Sequence, residues 1–165
     1  MLRLTAKAFA LLGRQRGPLK AAEPGDDDWY VNLLWVDGRK CLLIVHAGTV
    51  FSVFVADVRA AELRPIGRFL VPLIKAELQS EGLPADCLGP MDPDDVQLGK
   101  TANRSVLGFM NDLALLARLL VEDAGGLVFT DMSELNARLR RQLHKAREFK
   151  SAMELVAESL ARPAK

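Results

Sequence analysis

Net charge of one sign, cysteine, long apolar runs and aromatic side chains are all scarce in this chain. Lys and Arg number 22 against 21 Asp and Glu, a formal net charge of +1, so no global field announces a nucleic-acid or membrane partner. Two cysteines, Cys41 and Cys87, cannot staple a scaffold of 165 residues. His46 and His144 add too few ligands to complete a zinc site with them. A reduced, cytoplasmic protein is the expectation. The most apolar stretch, Leu113 to Val121, is interrupted by Arg118 and falls far below the ~20 residues that cross a bilayer. Met1 to Gly13 holds only short apolar runs, with no apolar core and small-residue cleavage site of the secretory kind.

What is present is a chain half hydrophobic and 26% charged, long enough for one compact domain with a sizeable core. Leu2 to Thr5 reads as a short strand and Ala6 to Leu12 as a helix, with Gly13 its C-cap. Arg14 to Asp28, with Gly17, Pro18, Pro24, Gly25 and three consecutive aspartates, reads as a loop. From Trp29 to Val36 side chains alternate, and Asp37-Gly38 then supplies the tight turn of a hairpin, because glycine accepts positive φ. Cys41 to Ala47 and Val50 to Ala56 are two further β-rich runs, giving a three-stranded antiparallel meander. Both faces of these strands are apolar, which predicts helices over one face and partial screening of the other.

Asp57 is placed to cap a short helix through Leu63, and Pro65 to open one that runs to about Gln79. Pro72 argues for a start near Phe69, since an interior proline costs roughly 3 kcal/mol. Val96 to Leu98 reads as a short edge strand. Asn103 to Asp123 carries the clearest helical period, with apolar residues nearly all round, which predicts a central buried helix ended by Gly125-Gly126. From Thr130 or Ser133 the steps of three and four run through Leu135, Leu139, Leu143, Phe149, Val156 and Leu160, which predicts one long amphipathic helix. The expected fold is α+β: a small, mainly antiparallel sheet of three to five strands packed by helices. Residues 1–131 would form a single domain, with 132–165 a basic amphipathic helix packed on it.

Catalytic patterns are thin. Gly99-Lys100-Thr101 invites a phosphate-loop reading, but the spacing demands a glycine where Asp94 stands, and a carboxylate there would repel the anion. No nucleophile elbow, HExxH or paired CxxC occurs. The carboxylate runs at Asp26 to Asp28 and Asp92 to Asp95 sit in loops with no second converging cluster, so neither a metal nor a cofactor is called for. Lys100, Thr101, Asn103, Arg104 and Ser105 do gather two cations and three short polar groups at a helix start, where free amides favour an anion. The plainer alternative is an Asn103 or Thr101 cap, with Arg104 paired to Asp94 or Asp95. Asn111 and Asp112, on an otherwise apolar helix, would need partners if buried, as anchors to the sheet or as pocket groups.

Charge is unevenly divided. Met132 to Lys165 holds eight Lys and Arg against four Glu, a net +4, which leaves the first 131 residues at −3. Helical spacing would align Arg138, Arg141 and Lys145 as a surface for a phosphate backbone, or as a solvated face that offsets the acidic body. Phe149 is the nearest aromatic and belongs to the apolar stripe, which argues against single-strand recognition.

Thr101-Ala102-Asn103-Arg104-Ser105-Val106-Leu107-Gly108-Phe109-Met110-Asn111-Asp112 resembles the signature of an uncharacterised bacterial family, a domain of unknown function. So do Trp29-Tyr30-Val31-Asn32-Leu33 and Arg39-Lys40-Cys41-Leu42-Leu43. The resemblance spans Met1 to Leu139, leaves the basic C-terminal helix outside, and carries no activity. It implies that Trp29, Asn32, Arg39, Lys40, Asn103, Arg104, Ser105, Gly108 and Asn111 are motif positions. Three functions remain open. One is a non-enzymatic binding protein for an anionic ligand, a nucleotide or a nucleic-acid backbone. A second is a protein-interaction or oligomerisation module acting through the C-terminal helix. The third is an enzyme that works without histidine.

Overall fold

The computed structural model describes residues 1–12 and 19–162. The Gly13 cap, Gly17, Pro18 and Lys165 of the expectations above lie outside the described residues. In chain order the elements are β1 (Leu2–Leu4), α1 (Ala6–Leu12), β2 (Trp29–Val36), β3 (Arg39–His46), β4 (Ser52–Val55), α2 (Ile66–Ser80), β5 (Leu98–Lys100), α3 (Arg104–Asp123), α4 (Met132–Arg140) and α5 (Ala152–Ala161). The fold is α+β. One sheet runs in the order β4-β3-β2-β1-β5. Its long ladders, β2 with β3 and β3 with β4, are antiparallel, whereas β1 runs parallel to both β2 and β5. The meander is as expected, and Asp37 and Gly38 close its first turn with φ of 50° and 69°.

Alternation along the strands sorts side chains to two faces, and helices cover both. Leu2, Leu4, Trp29, Val31, Leu42 and Ile44 meet α1, α2 and Val156 of α5. Tyr30, Leu34, Val36, Leu43 and Val45 meet α3 and α4. The expectation of one screened face is thus corrected: two apolar faces need two helical layers.

α2 starts at Ile66 with Pro65 as its N-cap residue, earlier than Phe69, and Pro72 sits inside it. Pro72 is exposed, so the carbonyl it leaves without a helical donor belongs to the equally exposed Arg68, on the water side of the helix. No helix forms over Asp57 to Leu63, and the edge strand lies slightly later than Val96 to Leu98. Gly67 marks a close approach: a side chain there would clash with the Pro93 carbonyl oxygen.

α3 is held to the sheet by Val106, Met110, Leu113, Ala117 and Val121, and Asn103 caps it by accepting from the Ser105 and Val106 amides. It is not buried all round, since Leu115 and Leu119 face outward. The predicted long C-terminal helix is two helices, α4 and α5. Between them His144 pairs with Lys150 through the backbone, and Glu148 and Phe149 take φ of 55° and 59°, so the helix cannot continue although the apolar spacing does. α4 crosses the edge of the sheet. Asn136, fully inside, accepts from the Phe54 amide at 2.7 Å and donates to the Phe54 carbonyl at 3.0 Å, and Arg140 Nε donates to the Ser52 carbonyl at 3.0 Å.

Candidate functional site

The start of α3 follows from the sequence, but its groups are arranged differently from an anion cradle. Asn103 Oδ1 already occupies the Ser105 and Val106 amides at 2.9 and 3.3 Å. Its own amide donates to the Tyr30 hydroxyl at 3.2 Å, which fixes the helix on β2. Thr101 is half-buried, while Lys100, Arg104 and Ser105 are exposed. The expected Arg104 pairing with Asp94 or Asp95 does not form, because Asp94 is held by Arg68 at 2.5 Å. Gly99 and Lys100 lie in β5, so no phosphate loop exists there. The side chains of Lys100 and Arg104 make no ion pair among the described residues.

The basic C-terminal groups are divided: Arg140 is buried, Arg147 and Lys150 are half-buried, and Arg138, Arg141, Lys145 and Arg162 are exposed. Arg140 is 1% exposed; it donates to Glu81 at 2.9 Å and to Glu77, and its guanidinium lies 4.5 Å from the Phe51 ring centroid. Arg141 takes the other oxygen of Glu81 at 2.7 Å. Hydrogen bonds from Arg141, against the opposing effect of burial, and those from Arg140 hold the Glu81 carboxyl below its usual range. Lys150 is bound by Glu148 and Glu158, and Arg147 donates to the Ala47 carbonyl. The side chains of Arg138 and Lys145 make no hydrogen bond or ion pair among the described residues. The aligned trio Arg138, Arg141 and Lys145 is therefore broken by one paired member and by the end of α4.

The motif positions do not converge. Trp29 is core; Asn32 accepts from the Thr5 hydroxyl at 2.9 Å; Arg39 pairs with Asp57 at 2.7 Å beside the hairpin turn; Lys40 lies 5.6 Å from the exposed Trp35 ring centroid. Asn111 and Asp112 are both exposed, so neither anchors α3 to the sheet. Among the described residues no group of His, Cys, Asp and Glu is placed to hold a metal ion.

The buried Arg3–Asp28 ion pair escaped the sequence reading, and His46 and His144 are both buried. Arg3 donates through Nε to Asp28 at 2.5 Å and caps the carbonyls of Lys100, Ala22 and Glu23. Burial acts to raise Asp28, but the Gly25 amide and Arg3 outweigh it and hold the carboxyl low. His46 accepts from the Thr49 amide, and burial, against the opposing pull of Asp26 and Asp27, lowers it to about 4. His144, also lowered by burial, stacks edge-on to Phe109 at 5.2 Å.

A concave feature lies beside α3. A groove of about 700 Å³ runs between its outer face and residues 142–146, lined by Phe109, Asp112, Leu115, Leu116, Leu119 and Leu143, with Lys145 on the far wall. Leu115, Leu119 and Leu143 are 58%, 53% and 54% exposed. The signal for it was in the sequence: apolar residues on every side of one helix.

A family model, Domain of unknown function (DUF6933), matches residues 1–155. The chain belongs to this family. No curated protein matches it. The DUF6933 match passes well beyond Leu139, so Arg140, Arg141 and both walls of the groove fall inside the family's span, as does the basic segment up to residue 155. Among the described residues of this DUF6933 chain, no helix is long and apolar enough to cross a membrane.

Proposed function

We propose that this domain is a non-enzymatic, cytoplasmic protein-interaction module that docks a partner over the outer face of α3 and the adjoining groove. The exposure of Leu115, Leu119 and Leu143 around one trough carries this reading. Single exposed leucines are ordinary, but several in one contiguous patch mark a place where water is displaced by a partner. The trough is open and has few converging polar groups, which suits an apolar protein segment better than an enclosed small molecule. The free thiols of Cys41 and Cys87 fit a reducing compartment.

A photoreactive residue placed at Leu115 in the full chain, in the cell that makes it, tests the reading. One adduct is expected from position 115, lost when Leu119→Glu is added, and none from Arg138. No adduct at 115, or one indifferent to Leu119→Glu, sinks the proposal. A second reading, an anionic ligand such as a nucleotide or nucleic-acid backbone at Lys100 and Arg104, is supported by those two unpaired cations, although Asn103 occupies the amides such a ligand would use.

A further inference from the structure

We infer that the partner seated on this face is a second copy of the chain, with the two α3 helices antiparallel and crossing at Leu115; this rests on reading that face as a docking surface. A two-fold contact must be self-complementary, since each patch meets itself turned round. The outward stripe of α3 carries Gly108, Asp112, Leu115, Arg118, Leu119 and Glu122. The side chains of its three charged members make no hydrogen bond or ion pair among the described residues. Asp112 and Arg118 stand three residues to either side of Leu115, about 4.5 Å along the axis each way.

A parallel pair would set Asp112 level with Asp112, Arg118 with Arg118 and Glu122 with Glu122, all repulsive. Turned antiparallel about Leu115, the stripe sets Asp112 level with Arg118 of the second copy, and the reciprocal pair forms at the other end. The long arginine stem spans the crossing. Glu122 then lies level with Gly108 of the second copy, whose outer side is open space, and one helical turn from its unpaired Arg104. Leu115 meets its own copy at the centre, and the leucines that water now covers are buried.

Sedimentation of the full chain over the micromolar range tests this. The native chain should sediment at twice its mass of 18.1 kDa. Asp112→Arg and Arg118→Asp should each weaken the dimer roughly tenfold or more, because each sets like charges together. Mixed one to one, the two variants should pair again, since each then supplies the charge the other needs. Asp112 and Arg118 are exposed and their side chains make no hydrogen bond or ion pair among the described residues, so circular dichroism should be unchanged in both. A native monomer, a dimer insensitive to both substitutions, or a mixture that stays monomeric overturns the inference. If the native chain is monomeric while the Leu115 adduct persists at a mass other than twice the chain, the second copy is excluded and the docking face stands; if the adduct is absent too, both fall.

Discussion

Arg140 and Arg141 of the C-terminal segment and the cations around α3 carry the same charge and meet opposite fates. Arg140 is enclosed by Glu77, Glu81, the Ser52 carbonyl and the Phe51 ring, and Arg141 shares Glu81 with it. Lys100, Arg104 and Arg118 stand in water with no side-chain partner among the described residues. A local excess of +4 therefore is not a +4 surface: its most buried members meet the acidic body inside the molecule, at the end of α2. The charges left outside are interspersed and of both signs, which suits recognition between surfaces better than a continuous phosphate track.

The comparison breaks most readily at Arg140. Arg140→Ala should cost about 3–5 kcal/mol of stability in urea unfolding, because it strands Glu77, Glu81 and a buried carbonyl. A loss below about 1 kcal/mol would mean that the two carboxylates rehydrate freely and that the two sets of cations do not differ. His46 sharpens the same contrast, as a buried base with no carboxylate bound to it. Above pH 6.5 its imidazole is neutral in both the folded and unfolded chain and contributes nothing. As pH falls from 6.5 to about 4, the unfolded chain takes up a proton that the folded one resists, so stability drops by about 3 kcal/mol. His144 adds a loss of the same sign. His46→Gln should flatten that slope but not abolish it; an unchanged slope would show that His46 takes no part. The smallest effect belongs to the free cations: Arg104→Ala should shift stability by less than about 0.5 kcal/mol. A melting temperature raised by inorganic phosphate in the native chain, and not in Arg104→Ala, would restore the anionic reading.

Local grammar was legible where one or two residues decide the backbone. Asp37-Gly38 fixed the hairpin turn, Asn103 the start of α3 and Gly125, at φ 88°, its end. What could not be read were outcomes of distant pairing. β1 inserts parallel between β2 and β5, a choice that no property of Leu2 to Leu4 announces. The apolar spacing through Leu139, Leu143 and Phe149 continued past the end of α4, because periodicity is blind to the His144–Lys150 pairing and to left-handed residues that are not glycine. Of the polar motif positions, Asn103 caps α3, Arg39 makes a hairpin ion pair and Asn32 accepts from Thr5, whereas Arg104, Ser105 and Asn111 face solvent. The outer face of α3 was misread in the opposite sense, since leucines around a whole helix suggest the interior equally well.

The side chains of Asn136 and Arg140 have a consequence for how copies of this protein can accumulate. By holding the amide and carbonyl of Phe54 and the carbonyl of Ser52, they deny an incoming strand its template along β4, and β5 at the opposite rim is only three residues long. Polymerisation by sheet growth is therefore blocked at its longer rim. A two-fold joint between helices uses up its own surface when it forms, so assembly stops at a pair instead of running on into a fibre.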